Sequence, residues 1–252
     1  SETIDAPKVT SQSWFGEVSL SAPVVLEATR RLSVTLSGQY FAEESDLVGV
    51  TILDQHGASI AAGLSGAWFG DKASLIASQA VKLTLYNDAI TGEDGVVNVA
   101  LPGDLTFAYR FTPRTAFSLR AGWQVSLDED APSRGDFSVA SPFAVRGYPT
   151  GLESDDTGYY LRLQVEQALP VEKLIADVSV TPFVFADMGE AFDNTGSSYD
   201  GLGRLASAGA GVAVSIRDKV FADVFVARPL LDAAGYDAGH DWSVFAKAGV
   251  RF

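Results

Sequence analysis

Hydrophobic and polar residues alternate along most of this chain, the pattern of strands with one apolar and one polar face. From Leu105 to Thr112, and again from Phe117 to Asp128, every second residue is apolar. The Pro113 and Arg114 turn between these two runs predicts a hairpin. Eleven runs of about ten residues predict eleven strands, which begin at Trp14, Leu32, Ile60, Leu75, Leu105, Phe117, Tyr159, Val180, Ala206, Val220 and Trp242.

Strands of this length, joined by alternately short and long connections, are typical of outer-membrane barrels with a lipid-facing and a lumen-facing side. A soluble β-sandwich also alternates, and it is the main alternative, but its strands are usually shorter. The run at Tyr159 places Arg162 and Glu166 on its inward face, and charges are rare in a sandwich core. The pattern therefore favours an all-β, antiparallel transmembrane barrel.

Composition narrows the possibilities further. The chain has 252 residues and is 47% hydrophobic, although its formal net charge is -14. No run of 18 consecutive apolar residues occurs, so the sequence predicts no transmembrane helix. The acidic balance argues against nucleic acid as a partner, because phosphate binding requires clustered Lys or Arg. Cys is absent, which excludes disulfides and thiolate metal sites.

Motifs that mark chemistry in other proteins are interpreted here as structural. Gly201, Gly203 and Ala206 match a dinucleotide-binding pattern, but that site requires a helix and the run that follows has a period of two. His56 and His240 each lie in a polar loop without the partners of a zinc site or a catalytic triad. We predict no catalytic residue, no metal and no cofactor. A solvated acidic rim is expected from Asp130, Asp155, Asp156, Asp193 and Asp200.

One long polar segment, about residues 128–158, separates two strongly alternating runs. It contains SPFAVRGYPTG from Ser141 to Gly151, in which a glycine between a cation and an aromatic suits a loop tip folded back on itself. In isolation, such a tripeptide is an ordinary surface turn. However, Asp187 lies on the presumed interior face of a later strand, where it can pair with Arg146.

The tetrad Val145 to Tyr148, followed by FADMG at Phe185 to Gly189, resembles the paired motifs of the Omp85 superfamily of outer-membrane assembly and secretion barrels. LASAGAGVAV at Leu205 to Val214 and the final strand ending in Phe252 are similar to two-partner-secretion transporters of the hemolysin-activator (TpsB) group. The likeness covers the chain from Phe117 onward, and earlier residues share only the strand pattern.

This resemblance implies a barrel of 16 strands that follows periplasmic POTRA domains, with a loop folded into the lumen. By position, Arg146 would contact Asp187, beside Phe185 and Tyr148. Where the family often has two glycines before the tip, this chain has Ser141 and Pro142. The implied loop–lumen lock comprises Val145, Arg146, Gly147, Tyr148, Phe185, Asp187 and Gly189, and the implied C-terminal signal for the barrel assembly machinery is Phe252.

The implied function is a protein-conducting pore in the outer membrane of a Gram-negative cell. It would export a β-rich, TpsA-like partner to the cell surface without chemical catalysis, surrounded by outer-membrane lipids. A plugged barrel that scaffolds or anchors a surface structure, or a passive pore, is the alternative. Six strands before the tetrad and five after it fall short of 16, so we expect N-terminal strands and POTRA domains to be absent here. The same polypeptide or a second chain would complete the barrel, because sheet edges in lipid are costly.

Overall fold

The computed structural model describes residues 9–128, 131–171, 177–193, 203–217, 219–233, 236–238 and 242–251. Within these ranges there is no helix with the length and apolarity needed to span a membrane. A short 3-10 turn lies at Ser133–Gly135. The strands are β1 Val9–Leu26, β2 Arg30–Leu47, β3 Val50–Phe69, β4 Ala73–Asp88, β5 Glu93–Ala100, β6 Gly103–Arg110, β7 Thr115–Gln124, β8 Phe137–Ser138, β9 Ser154–Asp155, β10 Thr157–Gln167, β11 Val178–Phe192, β12 Arg204–Ile216, β13 Val220–Pro229 and β14 Ser243–Val250.

Most of these strands form one antiparallel sheet in the order β1-β2-β3-β4-β6-β7-β10-β11-β12-β13-β14, and β5 pairs with β4 beside this path. Every strand on the path corresponds to one of the eleven predicted runs. Each strand also pairs with the strands before and after it in this order, as in an up-and-down meander. The all-β, antiparallel architecture predicted from alternation is therefore confirmed.

Two features of the sheet differ from the prediction. Strand β5 was not predicted. It pairs with the C-terminal half of β4, from Lys82 to Asp88, while β6 pairs with the N-terminal half, from Ala73 to Gln79. Pro102 separates β5 from β6, and its carbonyl still accepts a hydrogen bond from the Ala80 amide at 2.9 Å. The β2–β3 hairpin is also longer than predicted, with 18 and 20 residues in its strands. Its polar end lacks alternation, but backbone pairing continues to the turn at Val48 and Gly49.

The two faces of the sheet differ in polarity, as the alternation predicts. Leu163 in β10 pairs with Leu119 and Ala186 on one face, where Val184 is 58% exposed. The next residue, Gln164, points to the opposite face and contacts the long loop between β7 and β10. An apolar face of this extent requires an apolar environment, and lipid supplies it in a transmembrane barrel.

The in-folded loop between β7 and β10, which the structure describes at residues 125–128 and 131–156, lies against the polar face of the sheet. The main buried cluster is found where this loop meets β11 and β12, and it includes Val139, Ala140, Val145, Tyr148, Ala191, Leu205 and Ala233. Strand β1, by contrast, is exposed along nearly its whole length on both faces. The loop therefore supplies four of the seven residues in this cluster.

Candidate functional site

The tip of the in-folded loop is held by a turn at its start. The Ser141 hydroxyl accepts hydrogen bonds from the backbone amides of Phe143 at 3.2 Å and Ala144 at 3.0 Å, a local pattern typical of Ser in turns. The Val145 amide then donates to the Val139 carbonyl at 2.9 Å. Ser141 thus reverses the chain without the glycines frequent in the resembled family, and the tip still reaches the wall of the sheet.

Arg146 forms a two-point ion pair with Asp187 on the inward face of β11. Its Nε lies 2.6 Å from Oδ2 and its Nη2 lies 2.8 Å from Oδ1. The Arg146 backbone amide also donates to Oδ2 at 3.2 Å, and Nη1 donates to Oε1 of Gln164 at 3.1 Å. The side chains of Arg146 and Asp187 are 4% and 0% exposed. Such shielded, charge-assisted contacts define both the position and the orientation of the tip.

Aromatic rings enclose the other side of the Arg146 guanidinium. Its Cζ lies 3.5 Å from the centroid of the Phe185 ring and 5.7 Å from that of Phe225, which are cation–π distances. The Phe185 ring lies across Gly209, its direct partner on β12, where a Cβ atom would collide with the ring and with the Val226 carbonyl. Glycine at this position therefore allows the ring to reach Arg146.

The other residues of the tetrad contact neighbouring strands. Gly147 has φ of 101°, which strongly favours glycine, and its carbonyl accepts a hydrogen bond from the Ser243 hydroxyl at 2.6 Å. The Tyr148 hydroxyl lies 2.8 Å from the carbonyl oxygens of Ala206 and Leu231. It also accepts from the amides of these two residues at 3.3 Å. Tyr148 therefore connects the tip to β12 and to the chain after β13.

Val145 completes the contact with the FADMG strand. Its side chain is fully buried, and its Cγ2 would lie 3.0 Å from a Cβ atom added at Gly189. The backbone oxygen of Tyr159 would be at 2.8 Å from the same atom. Any larger residue at Gly189 would therefore displace Val145 or the β10 backbone. All seven residues of the predicted loop–lumen lock are brought together at this junction.

Arg162 is a second cation beside Asp187 that the motifs did not single out. It is paired directly with Asp187 across β10 and β11, and its Nε lies 3.9 Å from Oδ1. Its Nη1 donates to the Phe143 carbonyl of the loop at 2.7 Å. Arg120 stands directly opposite on β7. Period-two alternation places Arg162 on the inward face, but only the register between strands reveals its partner.

A cavity of about 540 Å³ lies beside the tip, and Arg146 and Arg162 both face it. Part of its wall is aromatic, with Phe225 stacked on Phe245 at 5.0 Å between ring centroids. The remainder is mixed in charge, with Glu166, Asp223 and Lys247 among its lining residues. Water and ions can therefore approach one side of the ion pair, although its charged atoms are shielded from solvent.

The base of the loop carries an acidic group. Partial desolvation, reinforced by the carboxylates of Asp155 and Asp156, raises the pKa of Asp136 to about 7, although the Asp136 side chain keeps contact with solvent. Desolvation also raises the pKa of Asp155. Asp156 is buried, so the expectation of a solvated rim is wrong for this residue. Burial and like charge both favour the protonated carboxyl, so this part of the loop gains negative charge as the pH rises through neutrality.

Some predicted residues lie outside the described ranges. They include Phe252, the expected C-terminal signal, together with His240, Asp130, Asp200 and Gly201. The expectation that His56 lies in a loop is wrong, because it lies within β3, where its Nε2 is 3.2 Å from Nδ2 of Asn87. Ala206 lies within β12, so the run after the glycine motif is a strand and cannot form the helix that a dinucleotide site requires.

Residues 55–214, more than half of the chain, match the family described as haemolysin secretion/activation protein ShlB/FhaC/HecB. The matched segment contains both the tetrad and the FADMG strand. A search of curated proteins found no match. Members of this family are outer-membrane proteins of Gram-negative bacteria.

Two solved structures of CdiB share the fold. The protein from Escherichia coli has a TM-score of 0.82 and 18% identity, over 96% of this chain and 46% of that one. The protein from Acinetobacter baumannii has a TM-score of 0.76 and 17% identity, over 95% of this chain and 42% of that one. This chain thus spans less than half the length of either structure. The fold, the matched segment and the paired motifs agree: the chain belongs to the ShlB/FhaC/HecB family of two-partner-secretion transporters of the Gram-negative outer membrane.

Proposed function

We propose that this chain forms part of an outer-membrane pore that exports a β-rich, TpsA-like protein from the periplasm to the cell surface. The observation that supports the proposal is the shielded two-point pair between Arg146 and Asp187, which fixes the loop against the polar face of the sheet in a chain that matches a secretion family. In this proposal the loop–lumen lock defines the resting position of the loop, and export displaces it.

Reversible release is consistent with the chemistry of the lock. Its contacts are hydrogen bonds, one ion pair and ring stacking, which water can replace when the tip leaves the wall. A buried ion pair contributes little net stability because desolvation offsets its attraction, although removing one partner alone is costly. The lock can therefore specify one loop position without making that position irreversible.

The proposed transport involves no catalytic step. Folding of the exported chain outside the cell would give the movement its direction, so the pore itself needs no nucleophile, general base or cofactor. A conducting pore also requires every strand edge within lipid to be paired. We propose that further strands, from the same polypeptide or from a second chain, close the barrel, and that the barrel assembly machinery inserts it among outer-membrane lipids.

The experiment replaces Arg146 or Asp187 with alanine in the producing bacterium, singly and together. Mass spectrometry of the culture medium and of protein shaved from the cell surface measures export, and immunoblotting measures the barrel in the outer membrane. We expect each single variant to lose one large β-rich protein while the barrel remains. The double variant should be little worse than the more severe single variant, because the two residues share one interaction. Arg217→Ala is the matched control, since its ion pair with Asp177 is exposed.

The same measurements distinguish the alternatives. Normal export in both single variants, or defects that add in the double variant, would contradict the proposed role of the lock. A passive pore would conduct ions in planar bilayers, yet deletion of its gene would remove no protein from the medium or the surface. A scaffolding barrel would lose a surface structure on deletion, but not when the lock alone is broken.

A further inference from the structure

The in-folded loop makes a second set of contacts near its base, at the 3-10 turn Ser133–Gly135. Nη1 of Arg134 lies 2.6 Å from Oε1 of Glu43 in β2. The Arg134 guanidinium carbon also lies 4.5 Å from the centroid of the Phe15 ring in β1. Arg134 therefore has an acidic partner and an aromatic partner, as Arg146 has at the tip, and here the two partners lie on adjacent strands.

The backbone of this turn is bound as well. The Ser133 amide donates to Oε1 of Gln55 in β3 at 3.1 Å, and Nε2 of Gln55 donates to Oδ2 of Asp88 in β4 at 2.8 Å. Gln55 and Asp88 are both buried. This short turn thus contacts β1, β2 and β3 directly, and it is linked to β4 through the Gln55 side chain.

The two sets of contacts lie on distant parts of the sheet. Six strand intervals separate β2, which carries Glu43, from β11, which carries Asp187. At about 4.8 Å per interval, this is roughly 29 Å along the sheet. The loop therefore crosses the concave face and contacts both walls, and the contacts at Arg134 and Arg146 share no partner residue.

We propose that Arg134 is a positioning residue that forms a second, independent anchor of the loop on the β1–β3 wall. When the tip leaves Asp187, this anchor keeps the base of the loop within the lumen, so the loop pivots about residues 133–135. The inference rests on the proposed function only for its consequence in export. The anchor itself is a property of the fold and can be tested without an exported partner.

The surroundings of Arg134 distinguish it from an ordinary surface ion pair. The side chains of Arg134 and Glu43 are 33% and 17% exposed, whereas Arg204 in its pair with Glu190 is 65% exposed. Exposed pairs contribute little because water and salt screen them. A planar guanidinium can lie over the Phe15 ring and donate to a carboxylate at the same time, which the ammonium group of lysine does less well.

The test measures the distance between the loop base and the β2 wall. The chain has no Cys, so spin labels can be placed uniquely at Ser138→Cys in the loop and Ser37→Cys in β2. Electron–electron resonance then gives the distance distribution in the purified protein. We expect the narrow distribution to be lost in Arg134→Gln and in Glu43→Arg, and restored when Arg134→Glu is combined with Glu43→Arg. Arg204→Gln is the matched control and should leave it narrow.

The decisive comparison is Arg146→Ala, which frees the tip but keeps the base. A narrow distribution in this variant supports an independent anchor. A distribution as broad as that of Arg134→Gln, or an unchanged distribution in Arg134→Gln, overturns the proposal. Export is measured separately in the same strains. If the distances behave as expected but Arg146→Ala exports normally, the anchor stands and the proposed function of the lock fails.

Discussion

Removing Asp187 should release the loop tip far more than removing Arg146, although the two residues form one ion pair. In Arg146→Ala, the buried carboxylate keeps a cation nearby, because Nε of Arg162 lies only 3.9 Å away. In Asp187→Ala, Arg146 and Arg162 lose their shared carboxylate and are left close together. The environment of the pair therefore predicts an asymmetry that a simple two-residue lock would not show.

The size of the asymmetry follows from the contacts. Removing one partner of a buried pair costs about 3–5 kcal/mol when the other charge is left uncompensated. A movement of about 1 Å would bring Arg162 within hydrogen-bonding distance of Asp187, and a hydrogen bond to a charged group contributes about 1.5–3 kcal/mol. Arg146→Ala should therefore cost less than Asp187→Ala by about that amount, which is roughly a ten- to hundredfold difference in the opening equilibrium.

The assay is thiol labelling of Ala144→Cys, a position beside the tip that is 3% exposed. The thiol reacts only when the tip opens, so the labelling rate reports the free energy of local opening. We expect slow labelling in the parent, faster labelling in Arg146→Ala and the fastest in Asp187→Ala. Adding Arg162→Gln to Arg146→Ala should raise its rate toward that of Asp187→Ala.

Equal labelling rates in the two single variants would refute this reasoning. So would an absence of any further increase when Arg162 is replaced in the Arg146→Ala background. Either result would mean that Arg162 does not compensate the charge of Asp187 when Arg146 is absent. The barrel content of the membrane is the control, because a general folding defect would lower it in all variants.

Three further predictions concern the wall and the loop base. Gly209→Ala should speed labelling of the tip because the added methyl collides with an aromatic ring, whereas Gly16→Ala, with nothing within 4 Å, should not. Leu163→Arg should lower the free energy of unfolding by about 2–4 kcal/mol if the residue lies near the bilayer midplane, measured by urea unfolding in lipid vesicles. Ser118 faces the cavity, so Ser118→Arg should lower it little. Asp136→Asn should protect the loop from protease at pH 8 but not at pH 4. The raised pKa of Asp136 means that its ionised carboxylate destabilises the folded loop, and this cost is present only at the higher pH. Because the side chain contacts solvent, the stabilisation by Asn should stay below about 1 kcal/mol.

Each of these predictions has a result that contradicts it. Equal labelling in the two glycine variants would show that the position of the Phe185 ring does not require glycine at residue 209. Equal costs at Leu163 and Ser118 would show that the two faces of the sheet are assigned wrongly. Protection of the Asp136→Asn loop that is the same at both pH values would mean that the carboxyl does not titrate near neutrality.

Alternation alone predicted the eleven strands of the sheet path and the face to which Asp187 points. This is possible because period two is a local property: each residue of a strand points opposite to its neighbours whatever the strand pairs with. The pattern failed where local signals are weak. Strand β5 is followed by Pro102, and the polar end of the β2–β3 hairpin has no apolar face, so its pairing shows only in backbone hydrogen bonds.

The paired motifs predicted that Arg146 contacts Asp187, but only the tertiary structure showed which other inward-facing residues meet. The approach of Arg162 to Asp187 depends on the register between β10 and β11, and a shift of one residue would turn either side chain to lipid. Arg134 and Glu43 are 91 residues apart in the chain, and they meet because the sheet curves and the loop crosses its concave face. Side-chain direction is set by the local backbone, whereas register, curvature and loop path depend on contacts between distant segments. For that reason the sequence determined the faces of the strands and the motif residues of the lock, and the tertiary structure determined the contacts of Arg162 and Arg134.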